Sequence, residues 1–91
     1  MTPSHPTPAE ILTSIEDAVA ADRPRPALAL TDTLQESLRL DSLAMLEILT
    51  RIEDRFGIEL IDAPAVYSVT TVADLVELIA TTIAEQRTPA P

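Results

Sequence analysis

Three stretches of the chain repeat apolar residues at intervals of three and four, and proline or glycine interrupts the sequence between them. This spacing places the apolar side chains of each stretch on one face of a helix. Helices with one apolar face bury it against one another, so we expect an all-α fold, a small helical bundle of three main helices plus one short helix. The three predicted stripes are Ile11, Leu12, Ile15, Ala18 and Val19; Met45, Ile48, Leu49, Ile52 and Phe56; and Val72, Leu75, Val76, Ile79 and Ile83.

Two capping boxes mark the starts of the first and last helices. Thr7 is a suitable N-cap, Pro8 fits the first helical position, and Glu10 completes the box. Thr71 can cap the last helix in the same way, with Asp74 three residues on. In each box, two side chains satisfy backbone N–H groups that a helix start would otherwise leave unpaired.

Breaks in the pattern give the remaining boundaries. Two prolines in residues 22–26 end the first helix. The second helix is expected over residues 42–56, with Gly57 as the left-handed residue beyond its end. Residues 58–61 are predicted to be a short extended link, and residues 62–67 one short helical turn.

The connection over residues 27–40 is long for a small domain, and such loops tend to be functional or partly structured. Leu34 and Leu38 are its predicted docking points on the core. At 91 residues the chain forms one domain at most. The predicted segments are a flexible N-terminal tail at residues 1–7, a folded domain at residues 8–87 and a flexible C-terminal tail at residues 88–91.

The charge is strongly acidic, with 15 Asp and Glu residues against six Arg and a net charge of −9. This balance argues against binding to nucleic acid or to anionic membranes. It either favours basic protein partners or only keeps the protein soluble. The chain has no Cys and one His, His5, which falls in the predicted tail. We therefore expect no catalytic Ser-His-Asp arrangement and no metal site. Without a membrane-length apolar run or a signal-peptide pattern, we expect a cytoplasmic protein.

The second helix has an outward face that is both acidic and apolar. At about 100° per residue, several side chains lie opposite its core stripe. Acidic groups around an exposed apolar point are typical of a transient docking surface, although single exposed leucines are also common. The members of this face are Leu43, Glu47, Thr50 and Asp54, with Leu46 and Glu53 at its edge.

Asp41 and Ser42 stand at the start of this helix, and taken alone they are common capping residues. The surrounding pattern is more specific. Over roughly residues 8–86 the chain resembles the acyl carrier protein family, whose phosphopantetheine-binding domain has an Asp-Ser-Leu motif. The positions that carry the resemblance are Asp41-Ser42-Leu43, Glu47, Glu53, Asp54, Phe56, Ile58-Glu59-Leu60 and Thr70-Thr71-Val72 with Asp74.

The resemblance implies a cargo carrier rather than an enzyme. Ser42 would carry 4′-phosphopantetheine from coenzyme A, attached by a phosphopantetheinyl transferase, and the arm's thiol would hold acyl cargo as a thioester. The implied partners also include an acyltransferase or acyl-loading ligase, a ketosynthase and other pathway enzymes, which meet a monomeric carrier. The predicted docking residues are Asp41, Leu43, Leu46, Glu47, Glu53 and Asp54. The second helix looks closest to discrete carriers of polyketide pathways.

Three positions depart from the family's pattern. Arg39 replaces the usual glycine, which alters the approach to Ser42 or adds a positive charge near the arm. Ile61 stands where proline is common, and the segment before Thr70 is one residue longer than usual. We therefore expect a shifted short helix and, with it, a shifted wall of the acyl-facing cleft.

Two alternatives stay open. A peptidyl or aminoacyl carrier of nonribosomal peptide type would share the fold and the arm. An unmodified helical interaction protein, in which Ser42 only begins a helix, is the candidate from another class.

Overall fold

The computed structural model describes residues 6–21, 24, 27–61 and 64–87. Within these residues the chain is all-helical and contains no β-strand, which confirms the predicted fold class. The predicted N-terminal tail up to residue 5, which includes His5, and the C-terminal tail lie outside the described residues. The elements are α1 (Pro8–Ala20), α2 (Ser42–Phe56), a short 3₁₀ helix (Pro64–Ser68) and α3 (Val72–Arg87).

The start of α1 and the end of α2 follow the sequence signals, whereas four of the five residues predicted to end α1, 22, 23, 25 and 26, lie outside the described residues. At the start of α1, the Glu10 amide donates to Thr7 Oγ1 at 3.2 Å, and the Thr7 amide donates to Glu10 Oε1 at 3.0 Å. This arrangement is the predicted capping box, with Pro8 in the first turn. α2 ends at Gly57, whose φ of 67° is the left-handed conformation that glycine adopts without steric cost.

The core lies where α1 packs against both α2 and α3. It is almost entirely aliphatic, with Phe56 as its single aromatic side chain. All three predicted stripes contribute to it, and only Leu12 and Met45 of their members are half-buried rather than buried. Two arginines of α2 add polar links to α1: Arg51 donates to the Ala18 carbonyl at 3.3 Å, and Arg55 pairs with Asp17 at 3.2 Å.

The long connection before α2 is held against the bundle by three buried leucines. Leu34 is buried as predicted and Leu38 is half-buried, whereas the burial of Leu28 and Leu40 was not predicted. A local turn over residues 34–37 precedes the last of these leucines, and the Leu40 amide donates to the Leu34 carbonyl at 3.0 Å. Because Leu40 is buried, the next residues of the chain start α2 from a fixed position.

Backbone hydrogen bonds tie the same connection to the start of α3. The amides of Val72 and Ala73 donate at 2.9 Å to the carbonyls of Asp32 and Leu30, respectively. The Leu34 amide donates to the Thr70 carbonyl, also at 2.9 Å. The first N–H groups of a helix have no partner inside the helix, so the connection supplies acceptors that α3 would otherwise lack.

Substitution of the core face of α2 should destabilise the fold. Leu49→Ala and Phe56→Ala each remove a buried side chain and leave a cavity, which typically costs about 2–5 kcal/mol of unfolding free energy. Thr50→Ala, on the exposed side of the same helix, is the matched control and should change stability by less than about 0.5 kcal/mol. Denaturant unfolding measures the free energy of unfolding of all three variants. Equal losses of stability at positions 49 and 50 would contradict the burial of Leu49 in the core.

The capping boxes should also make stability depend on pH. The pKa of Glu10 is lowered because its carboxylate accepts hydrogen bonds from the backbone and side chain of Thr7. The pKa of Asp74 is lowered chiefly by the backbone amides of Thr71 and Thr70. A carboxyl group with a lower pKa in the folded state stabilises the fold above its ordinary pKa and ceases to do so as the pH falls through the lowered value.

We therefore expect Glu10→Gln and Asp74→Asn to unfold more easily than the native chain at pH 7. The difference should shrink in acid, because the native carboxyl groups are then protonated and accept these hydrogen bonds poorly. Thermal unfolding at a series of pH values tests this. If the difference in unfolding temperature between the native chain and the variants stayed constant from pH 7 to acid, the negative charge of these carboxylates would not contribute to capping.

Candidate functional site

Ser42 is the first residue of α2, and its position is set by the residue before it. Asp41 has an extended backbone, and its Oδ1 accepts a hydrogen bond from the Ala44 amide at 2.8 Å, so it is the N-cap. The Met45 amide bonds the Asp41 carbonyl and closes the first helical turn. The side chain of Asp41 thus has a structural role in presenting Ser42, whether or not it also meets a partner.

The hydroxyl of Ser42 is exposed and open to reaction. In the described part of the chain it has no hydrogen-bond partner, and the backbone amides of Ser42 and Leu43 have none either. These amides lie at the positive end of the α2 dipole, where a negatively charged group is stabilised. The local chemistry therefore suits a phosphate joined to Ser42 Oγ.

Arg39 has an unusual backbone conformation close to this serine. Its φ is 55°, and among the described non-glycine residues no other φ is positive. The left-handed region costs an L-residue roughly 1–2 kcal/mol, a cost that glycine avoids. The backbone at position 39 thus has a conformation that glycine favours, and Arg39 is a strained, exposed cation in the approach loop.

Arg39→Gly should stabilise the protein. Removal of the left-handed strain is worth roughly 1–2 kcal/mol, and the greater backbone entropy that glycine loses on folding reduces this to a net gain of about 1 kcal/mol or less. Arg39→Ala removes the same charge but retains the strain, so it should give no such gain. Chemical denaturation of both variants separates the two effects, and a less stable glycine variant would contradict the strain.

An open cleft of about 300 Å³ adjoins Ser42. α2 forms one wall and the 3₁₀ helix forms the other. A short helical turn was predicted at residues 62–67, and the structure describes it at Pro64–Ser68, with residues 62 and 63 outside the described residues. The shift of this cleft wall relative to the family stays a prediction. The lining is mostly apolar, with polar groups near the serine. Its residues are Gln35, Asp41, Ser42, Met45, Leu46, Leu49, Ile61, Val66, Tyr67 and Val69.

The predicted docking residues fall into two groups. Leu43 and Leu46 have exposed fractions of 67% and 46%, and Glu47 and Asp54 are also exposed on α2. Glu53 differs: it is half-buried, and its Oε2 accepts hydrogen bonds from the backbone amides at positions 60 (2.6 Å) and 61 (2.9 Å). Its carboxylate therefore anchors the link after α2, and its role in docking stays a prediction.

Tyr67 is a surface residue that the sequence analysis did not select. It is 81% exposed and lines the same cleft as Leu46. Exposed aromatic side chains are enriched at protein interfaces, because they offer a large contact area with few rotatable bonds. The available signal was an isolated aromatic residue in a proline-initiated turn, but its distance from the motif in sequence concealed its proximity to Ser42 in the fold.

The described residues contain no group of three or more His, Asp or Glu side chains arranged to hold a metal ion. Among the helices they form, none is long and apolar enough to cross a membrane.

The fold and the exposed serine agree with the comparison of the chain with known families. Residues 9–79 match the family model described as the phosphopantetheine attachment site. The chain belongs to this family. Comparisons with curated proteins and with solved structures gave no match.

Domains of this family carry 4′-phosphopantetheine covalently on a serine, and they are carrier domains rather than catalytic ones. The residues around Ser42 fit such a group: the hydroxyl is exposed, two unpartnered amides adjoin it and a cleft opens beside it. The bound arm supplies a thiol, which a chain without cysteine does not have. This carrier thus acts together with a phosphopantetheinyl transferase and with the enzymes that use the arm.

Proposed function

We propose that this protein is an acyl carrier protein whose arm is attached to Ser42. The observation that carries the proposal is the exposed, unbonded hydroxyl at the start of α2. In the described residues no hydrogen bond joins the Ser42 hydroxyl to a general base, and the adjacent Asp41 carboxylate instead caps α2. A transferase that uses coenzyme A and Mg²⁺ therefore activates it, and the carrier provides access and orientation.

Acyl cargo of polyketide or fatty-acid type is the best-supported cargo class. The cleft next to Ser42 is lined mainly by aliphatic side chains, and an apolar chain would bury surface there. The second-helix pattern, from Asp41 to Glu47, favours the polyketide type. Coenzyme A and the transferase act in the cytoplasm, so we propose that the carrier is cytoplasmic too.

The proposed docking surface combines exposed leucines with free carboxylates. Leu43 and Leu46 lie near the arm, and Glu47 and Asp54 extend the acidic side of α2. A partner with a basic rim and a small apolar pocket would complement this surface. Contacts between exposed charges are individually weak, which suits a monomeric carrier that must leave each enzyme in turn.

A carrier of aminoacyl or peptidyl cargo is the second candidate. It shares the family match and the attachment chemistry. The aliphatic cleft and the acidic surface favour acyl cargo over it. Loading assays with an acyl-loading ligase and an amino-acid-activating enzyme, each with the same holo protein, distinguish the two cargo classes.

Intact mass tests the attachment itself. After incubation with coenzyme A, Mg²⁺ and a broad-specificity phosphopantetheinyl transferase, the native chain should gain one phosphopantetheine. Ser42→Ala should gain nothing, whereas the control Ser68→Ala, at another exposed serine, should be modified like the native chain. A folded native protein that gains no mass would instead support an unmodified interaction module.

Charge reversal on α2 tests the docking surface. Glu47→Lys should leave thermal stability nearly unchanged, because the side chain is exposed, but should lower the rate of loading or elongation. The expected loss is about tenfold, corresponding to roughly 1.4 kcal/mol. Glu85→Lys makes the same charge change near the end of α3 and is the matched control. Equal loading or elongation rates for the two variants would show that Glu47 is not part of the docking surface.

A further inference from the structure

Arg39 is an unpaired cation in an acidic protein. The chain has six arginines against 15 acidic residues. Two of these arginines already contact α1: Arg51 binds the Ala18 carbonyl, and Arg55 pairs with Asp17. Among the described residues, Arg39 has no ion pair and no side-chain hydrogen bond, and it is exposed. The guanidinium, which has no anionic partner in the described part of the chain, is therefore available to an added anion.

The location of Arg39 restricts which anion this is. Three peptide units separate it from Ser42, so the two Cα atoms lie within about 11 Å of each other. The intervening Leu40 is buried and Asp41 caps α2, so the chain between the two residues is fixed. A guanidinium on a long side chain can span such a distance to a group attached to the serine hydroxyl.

The strain at Arg39 adds a second, independent observation. Residues held in unfavourable backbone regions concentrate at functional sites, where the surrounding structure maintains them. Here burial of Leu40 and its hydrogen bond to Leu34 maintain the conformation. The chain thus presents a charged side chain at a position where glycine would be free of strain.

We propose that Arg39 binds the phosphate of the arm carried on Ser42. The guanidinium matches phosphate oxygens in shape and charge, and it can donate two parallel hydrogen bonds. The contact would offset the negative charge that attachment adds beside Asp41, and it would restrict the first atoms of the arm. This inference rests on the proposed attachment to Ser42.

A comparison of apo and holo proteins tests it. For the native chain and each variant, the change in Tm on attachment of the arm is measured at low and high salt. Arg39→Gln removes the charge and retains the strain, whereas Arg39→Gly removes both. In both variants, attachment should lower Tm by about 1–5 °C more than in the native chain, and high salt should reduce this difference.

Two controls establish the specificity of the effect. Arg39→Lys keeps the charge and should retain most of the native response. Arg55→Gln removes a cation about 20 Å along α2 from Ser42, beyond the screening length, and should respond like the native chain. In NMR spectra of the native chain, the Arg39 Nε–Hε resonance should shift between apo and holo forms, while that of Arg55 should not.

The outcomes separate this inference from the attachment itself. Intact mass first establishes whether the arm is present on Ser42. If the native chain cannot be modified, both the attachment to Ser42 and phosphate binding by Arg39 are wrong. If the arm is attached but the Arg39 variants respond like the native chain, or the resonance does not move, phosphate binding by Arg39 is wrong and the attachment stands. Variants that alter only the rates of partner enzymes would assign Arg39 to protein contact and would likewise overturn the proposal.

Discussion

The structure depends on burial of the connection between α1 and α2. Leu28, Leu34 and Leu40 lie in the core, and they hold a segment that contains no α-helix of its own. From this segment, carbonyl groups accept hydrogen bonds from the first amides of α3. The last buried leucine directly precedes Asp41, so apolar burial fixes the point at which α2 begins and Ser42 is presented. The exposed Ser42 therefore directly follows an anchored segment, Leu40-Asp41, of which Leu40 is buried.

The acidic residues divide into structural and available groups. Asp41 and Asp74 cap helices, and Glu53 binds two amides of the link after α2. These carboxylates satisfy backbone donors that would otherwise lack partners, and their charges are partly committed to the fold. Glu47 and Asp54 remain exposed on α2 and are better suited to recruit basic partners. Net charge alone thus overstates the surface available for docking.

A carrier of this kind needs a firm scaffold and a mobile cargo. Its helices are joined by aliphatic packing and by links such as Arg55 to Asp17, while Ser42 faces solvent beside an open cleft. The strained Arg39 belongs to the firm part, because its neighbours on both sides are held by burial or capping. Its charge lies three residues before Ser42, so under the proposed attachment it would act on the first atoms of the arm and leave the rest of the cargo unrestricted.

The sequence by itself determined the three apolar stripes, the capping box at Thr7, the left-handed Gly57 and the start of α2 at Ser42, because each depends on residues close together in the chain. Attachment at Ser42 and the docking residues of α2 were predicted from the motif and remain predictions. Only the tertiary structure decided which distant groups meet: Tyr67 lines the cleft beside Ser42, Glu53 binds the link after α2, and Leu40 is buried. These outcomes depend on how helices and loops pack across the bundle, and local periodicity carries no information about that arrangement.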